Sequence, residues 1–491
     1  MDLRDLMRRL PSSARVPDGP SSAAPRTHIA GVTADSRAVR PGFLFAALPG
    51  AHADGRAFIA DAVARGAVAV LAPSGTDWPP GVPPRPLILD PEPRRRLAQI
   101  AATFHGAQPA TVVAVTGTNG KTSTVDFLRQ IWTRAGLRAA SLGTLGIVAP
   151  GMLPGAGLTT PDPVALHAAL AELAAADIQH AAIEASSHGL DQYRLDGVRL
   201  EAAAFTNLTR DHLDYHRSMA AYRTAKLRLF EELLPPGAPV AASSEMDAET
   251  LAALSVIAQR KRLKLMTVGE TGKAVRLISA APRADGQDLL VEVFGARLAI
   301  ALDLPGRFQA DNALLAAAIA YATGTDTAFD QLPALRGVRG RLELAARLPN
   351  GAAIYVDYAH TPDALERLLL ALRPHARGRL WCVFGAGGDR DPGKRPLMGA
   401  AVARHADCAI VTDDNPRTED PALIRAAVRA AIPAAREIGD RRAAIAAAMG
   451  ELGPGDVLAV AGKGHEQGQT VGHEVLPFDD VTVVRQIAGL A

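Results

Sequence analysis
A chain of 491 residues is too long for one hydrophobic core, and 48% apolar residues can fill two to four. A net charge of +2 gives no field for a polyanion and 4% aromatic residues leave few stacking platforms, which excludes nucleic acid as a principal partner. Cys382 and Cys408 stand apart from any C-x-x-C, against a zinc site or disulfide framework and in keeping with a reducing cytoplasm.

The N-terminus, MDLRDLMRRL, is too charged for a signal-peptide core, and the longest apolar run, 313–322, is too short to span a bilayer. A soluble enzyme without membrane insertion is expected. After a Pro/Ser-rich loop at 17–25, residues 33–73 alternate short apolar runs with turns and predict a small α/β unit. Asp35, Ser36 and Arg37 would sit on a turn, which an Asx or Ser turn explains without a ligand. A helix to about His105 and a boundary near Gln108 follow.

Residues 112–124, VVAVTGTNGKTST, organise the rest of the chain. Four apolar residues suit a buried parallel strand, and Val125, Leu128 and Trp132 follow at helical spacing. Between them Thr116, Gly117, Thr118, Asn119, Gly120, Lys121, Thr122 and Ser123 form a phosphate cradle. The glycines turn the backbone tightly, Lys121 reaches terminal phosphates, and the Thr122 hydroxyl can hold magnesium. The general pattern puts a glycine where this chain has Val115, so the P-loop is a shortened one.

Two further strands end in polar loops, where open α/β sheets bind ligands. The first, 181–184, is followed by ASSHGLDQYR; the second, 202–206, by NLTRDHLDYH. A carboxylate at a strand end beside a P-loop is the usual magnesium-holding arrangement and nominates Glu184. Asp211, His212, Asp214 and His216 crowd six positions and point to a metal or phosphate role for His212. Asn312 is expected as a polar group near the start of an alanine-rich helix.

From about Gly340, strands at 353–356, 380–384, 409–411 and 457–460 alternate with helices such as 362–372, the pattern of a doubly wound fold. Their polar loops are DYAHTP, GAGGDRDPGKR, TDDNPR and AGKGHE. Gly387, Gly388, Gly462 and Gly464 allow close backbone approach, while Arg390, Lys394, Arg395 and Arg417 are expected to gather positive charge around an anion. His465-Glu466 is no zinc motif, because Gln469 stands where the second histidine belongs.

These residues together resemble the Mur ligases, ATP-dependent enzymes that add amino acids to the peptide of UDP-N-acetylmuramic acid. TGTNGKTS also fits the related folylpolyglutamate synthetases. DSR, HADGRAF, TTPDP, EASSHGLDQYR, YRTAKLRLF, GGDRDPGKR, DNPR and GKGHE are narrower and resemble the branch that adds the third peptide residue. The resemblance implies three α/β domains. These are a small N-terminal UDP-sugar-binding domain (1–108), a central P-loop ATPase domain with a parallel sheet (109–338) and a C-terminal Rossmann-like amino-acid-binding domain (339–491).

By the same resemblance, Ser36 belongs to the uridine site, and Thr159, Thr160, Ser186, Gln192 and Arg194 contact the sugar-linked dipeptide. Lys121, Thr122, Glu184 and His212 form the ATP–magnesium site. Asn312, Arg341, Asp357 and His360 hold the nucleotide, and Lys226 matches the lysine that the family carries as a carbamate, an anionic donor to magnesium. Arg390, Asp414, Asn415, Pro416, Arg417, Gly462 and Glu466 form the amino-acid pocket. An arginine fork pairs a distal carboxylate, so Arg417 is expected to select meso-diaminopimelate over lysine. Gln309, Arg339 and Ala386 depart from the family pattern at an asparagine, a proline and a cysteine. The expected enzyme is a cytoplasmic monomer making a peptide bond through an acyl phosphate for peptidoglycan. The rival readings are the lysine-adding version, a folylpolyglutamate synthetase and a non-catalytic nucleotide-binding regulator.

Overall fold
The computed structural model describes residues 1–10, 27–50, 53–152, 159–283 and 285–490. The loop at 17–25, His52 of HADGRAF and the Asp214 side chain lie outside the described residues. Among the described residues the strands form three large sheets and a separate hairpin.

The first sheet holds β1 (Gly31–Thr33), β2 (Phe43–Ala46), β3 (Ala69–Pro73) and β4 (Leu87–Asp90), all parallel and in sequence order. The helix Pro93–His105 begins on a proline, whose missing N–H costs nothing in a first turn. Its Leu97 and Ile100 pack on Leu44 and Leu71.

The second sheet contains β5 (Thr111–Thr116), β6 (Ala139–Gly143), β7 (Gly146–Val148), β8 (His180–Glu184), β9 (Ala202–Phe205), β10 (Pro239–Ser243), β11 (Lys264–Gly269), β12 (Val275–Arg283), β13 (Gly286–Val293) and β14 (Ala296–Leu302). Their order is 14-13-12-11-10-9-5-8-6-7. Every residue of β5 is buried because β8 and β9 flank it in parallel and both faces are covered. Val113 and Val115 pack with Leu128, Ile131 and Trp132 of the helix Lys121–Arg134, while Val112 and Ala114 face the opposite core. The three strands whose loops the sequence singles out, β5, β8 and β9, are thus neighbours. The meander β12–β14 carries no such loop and widens the sheet antiparallel.

The third sheet has β15 (Glu343–Arg347), β16 (Ala353–Asp357), β17 (Leu380–Phe384), β18 (Cys408–Val411), β19 (Arg436–Glu437) and β20 (Val457–Ala461), in the order 15-16-20-17-18-19. β16, β20, β17 and β18 are parallel, which brings all four polar loops to one edge. β21 (Gly468–Val471) and β22 (Glu474–Pro477) form a hairpin beside that edge. No described helix is long and apolar enough to cross a membrane.

The linker into the third sheet is tightly held. Gly340 has φ +65°, and a Cβ there would lie 2.2 Å from the His465 nitrogen. Arg339 pairs with Asp479, and Gln309 Nε2 donates to the Arg341 carbonyl at 3.1 Å. Two of the departures from the family pattern therefore have partners of their own, and Ala386 is simply buried. Asn312 lies near the start of the helix Arg307–Ala322, in its second turn, with Gly306 as the cap.

Candidate active site
The cradle between β5 and its helix is shaped by two glycines in the left-handed half of backbone space, Gly117 at φ +147° and Gly120 at φ +84°. A Cβ on Gly117 would lie 1.8 Å from Thr206 Oγ1, and one on Gly120 would lie 2.4 Å from Asn312 Oδ1. Neither position admits a side chain. Thr206 Oγ1 donates to the Asn119 carbonyl at 2.6 Å, Asn207 Oδ1 accepts the Asn119 N–H at 3.0 Å, and Thr116 Oγ1 donates to the Ala185 carbonyl at 2.8 Å. Thr118 Oγ1 lies 3.1 Å from Tyr222 OH, and Ser123 is buried behind the loop. The ends of β8 and β9 and the helix Arg307–Ala322 thus wall the cradle.

Two lysines converge on one carbonyl. Lys121 Nζ donates to the Gly117 and Thr118 oxygens, both at 2.9 Å, and Lys226 Nζ donates to the same Gly117 oxygen at 2.7 Å. Lys226 comes from the helix Met219–Arg228, is 1% exposed, and lies 4.7 Å from the centre of the Tyr222 ring one turn earlier. A buried ammonium this close to another is costly, so burial first and the charge of Lys121 second push the Lys226 amine well below the ordinary lysine range. Burial also lowers Lys121, against the pull of Glu184.

Glu184, at the end of β8, is 1% exposed. Its carboxylate accepts from Thr122 Oγ1 at 3.1 Å, the Thr144 N–H at 2.7 Å and Thr144 Oγ1 at 3.3 Å. Burial pushes its carboxyl up, opposed by Lys121. His212 is about half exposed, with φ +52°, and its ring meets the His188 ring edge-on at 5.0 Å. Glu184, Thr122 and Lys226 converge on the loop and His212 stands on its rim. No three described His, Cys, Asp or Glu side chains form a ready cation cage. That open donor set fits magnesium, which keeps several waters and takes substrate phosphates as ligands.

Thr159, Thr160, Ser186, Gln192 and Arg194 form one cluster beside Glu184. Thr160 Oγ1 donates to the Glu184 carbonyl at 2.7 Å and lies 3.0 Å from Ser186 Oγ; Thr159 Oγ1 lies 3.1 Å from Thr144 Oγ1. Arg194 donates to the Thr160 carbonyl at 2.7 Å and to Gln192 Oε1 at 2.8 Å. Ser36 stands apart, in a hollow of about 1090 Å³ on the first sheet that Asp162 also lines. Its neighbours Asp35 and Arg37 pair with each other at 2.9 Å, so that turn is self-sufficient.

The linker and third sheet supply the opposite wall. The Arg341 guanidinium stacks over the Tyr358 ring at 4.9 Å, and its charge reaches both Lys121 and Glu184. Both Asp357 oxygens accept backbone N–H groups, of Leu342 at 2.7 Å and of Ala359 at 2.8 Å, and His360 Nδ1 lies 2.7 Å from the Tyr358 carbonyl. Arg417, at φ +52°, donates to the Gly388 carbonyl at 2.6 Å, and a Cβ on Gly388 would lie 1.9 Å from the Pro416 oxygen. Arg390 is exposed nearby and donates to the Asp389 carbonyl at 3.3 Å. Asn415 Nδ2 donates to Glu466 Oε2 at 2.9 Å, and a Cβ on Gly462 would lie 3.0 Å from Asp414 Oδ2. The expected cluster of four cations needs correction. Arg395 is buried against Glu419 at 2.8 Å and is withdrawn, whereas Lys394, which donates to the His360 carbonyl at 3.2 Å, stays within electrostatic reach of Arg390 and Arg417.

A cleft of about 1180 Å³ runs between the second and third sheets and is lined by Thr144 on one side and Asn415, Arg417 and Glu466 on the other. Sequence reasoning missed Thr144, Thr206, Asn207, Tyr222 and Lys463. Thr206, Asn207 and Lys463 lie in strand-end segments that the sequence singles out, and Tyr222 stands four residues before Lys226.

Comparison with known proteins gives three matches along the chain: the catalytic domain of the Mur ligase family at 28–105, the Mur ligase middle domain at 115–320, and the Mur ligase glutamate ligase domain at 340–464. UDP-N-acetylmuramoyl-L-alanyl-D-glutamate–2,6-diaminopimelate ligases are similar over nearly full length. That of Caulobacter vibrioides is 55% identical, covering 93% of this chain and 95% of that protein; that of Bradyrhizobium diazoefficiens is 53% identical, covering 92% and 93%. A solved structure of such a ligase is 33% identical with a TM-score of 0.72, covering 100% of this chain and 99% of that one. The MurF ligase of Thermotoga maritima in complex with ADP shares the fold, with a TM-score of 0.61 at 17% identity, covering 94% and 98%. The chain therefore belongs to the Mur ligase family and is an ATP-dependent ligase with a three-domain α/β fold.

Proposed function
We propose that this protein joins meso-diaminopimelate to UDP-N-acetylmuramoyl-L-alanyl-D-glutamate in peptidoglycan precursor synthesis, acting as a cytoplasmic monomer with domain boundaries near residues 108 and 338. The observation that carries this reading is the shared cleft: Thr144, bound to the buried Glu184, faces Asn415, Arg417 and Glu466 across it. The names of the similar proteins support the same substrate pair.

In the reaction, the terminal carboxylate of the dipeptide attacks the γ-phosphorus of ATP. An O–P bond forms, the bond to ADP breaks, and an acyl phosphate results. The neutral amine of diaminopimelate then attacks the acyl carbon; phosphate leaves and the nitrogen loses a proton. Lys121 exchanges its two loop carbonyls for phosphate oxygens, and the N–H groups of residues 120–122, which Asn207 does not take, cradle them. Thr122, Glu184 and His212 would hold magnesium, which supplies positive charge against the transferring phosphate. Asn312 packs under Gly120, and Arg341, Asp357 and His360 fix the nucleotide from the linker side. Thr159, Thr160, Ser186, Gln192 and Arg194 orient the dipeptide carboxylate, with Ser36 on the uridine. Closure over the cleft keeps water from the acyl phosphate.

Lys226 is suited to carbamate formation, because a buried amine forced toward neutrality can attack CO₂, releasing one proton and leaving an anionic oxygen donor. In the amine pocket Arg417 and Arg390 take the distal carboxylate. Asp414 Oδ1 accepts no hydrogen bond and lies 3.5 Å from the buried Lys463 ammonium, and with Asn415 and Glu466 it supplies the negative side of the pocket that the distal ammonium meets.

The test is phosphate release with ATP, magnesium and the UDP-sugar dipeptide, comparing diaminopimelate with lysine and weighing the product. Turnover with diaminopimelate is expected; turnover with lysine alone would overturn the selectivity, and none with either amine would overturn the activity. Arg417→Ala should raise the diaminopimelate KM about 10- to 100-fold, the worth of one charge-assisted fork, and leave the ATP KM nearly unchanged. Equal rises in both constants would signal a folding defect instead.

A further inference from the structure
Lys463 follows β20 in the GKGHE loop and is 0% exposed. Its Nζ donates to Asn415 Oδ1 at 2.9 Å and lies 3.5 Å from Asp414 Oδ1 and 3.4 Å from Glu466 Oε2. Asn415 Oδ1 also accepts the Thr470 N–H at 2.9 Å, so both of its lone pairs are occupied and its Nδ2 is turned to Glu466. Asn415 and Glu466 line the cleft, whereas Lys463 does not. The ammonium stands behind the wall that the substrate meets.

We infer that Lys463 is a positioning residue that fixes the Asn415 amide and balances Asp414 and Glu466, so that the pocket takes a zwitterionic amino-acid end in preference to a bare ammonium. This rests on the amine-pocket reading above. Lys463 offsets part of the negative charge of Asp414 and Glu466, and a substrate ammonium can meet what remains while Arg417 takes the adjoining carboxylate. Without Lys463 that end is more negative by one charge, and the Asn415 amide keeps only the Thr470 N–H and Glu466 to hold its orientation. Both changes favour lysine, whose far end is an ammonium alone.

The experiment measures kcat and KM for diaminopimelate, lysine and ATP in wild type, Lys463→Met and Lys463→Arg. In Lys463→Met the diaminopimelate KM should rise about tenfold and the preference for diaminopimelate over lysine should fall about tenfold, with the ATP KM within about twofold of wild type. Lys463→Arg, which keeps the charge and a donor, should restore most of the preference. An unchanged preference in Lys463→Met would overturn the inference. Equal loss for all three substrates, unrepaired by arginine, would reduce Lys463 to a brace and overturn it too. If wild type itself used no diaminopimelate, the parent reading would fall and this inference with it; wild-type turnover with an unmoved preference would sink this inference alone.

Discussion

Lys226→Ala is expected to lose turnover by about 10²–10³-fold and to regain part of it when formate or acetate is added. The lysine is buried, its amine meets Lys121 at a shared carbonyl, and truncation leaves a hole beside the nucleotide loop. A short carboxylate can enter that hole and return the anionic oxygen that a carbamate would supply. An ammonium at the same place would only oppose Lys121, so Lys226→Met, which fills the space, should be equally inactive and refractory to rescue. Turnover is measured against carboxylate concentration at fixed magnesium. Retained activity in Lys226→Ala, or inactivity that no carboxylate repairs, would remove the carbamate from the mechanism.

Glu184→Gln should cost about 10²–10³-fold in kcat while leaving the protein no less stable at neutral pH. Glutamine keeps the local bonds: its oxygen can accept the Thr144 N–H and its amide can donate to Thr122 Oγ1. What it removes is the negative charge. Burial raises the Glu184 pKa on folding, so ionisation is a cost that appears as pH rises above the ordinary value of 4.5 through the raised one. Below that window wild type and variant should converge in melting temperature, and above it the variant should hold level or lead. A variant that melts well below wild type at pH 7 would show that the charge braces the fold.

The sequence made the strand-to-helix unit around Gly117 and Gly120 legible because its signals lie within a dozen residues. Strand ends at 184, 384 and 411 followed from apolar runs meeting polar loops, and those expected at 206, 356 and 460 fall one residue away, at 205, 357 and 461. Contacts across long separations were not legible. Nothing near Asn312 announces that it fills the space over Gly120, and nothing near Glu419 announces that it neutralises Arg395. Lys463 was hidden for the same reason, since Asn415 lies 48 residues earlier, after β18, with β17 standing between that strand and β20. The β12–β14 meander was missed because alternating half-buried strands carry a weak signal beside alanine-rich helices.

Glu184, His212 and the phosphate loop follow β5, β8 and β9, with Lys226 and Asn312 on helices beside them, whereas the amine-pocket groups follow β17, β18 and β20 of a sheet with its own core. Substitutions in the loop at 412–417 can therefore retune the amine pocket while the groups on β5, β8 and β9 stay in place, whereas the loop at 462–466 packs on Gly340 of the linker and is less free to change.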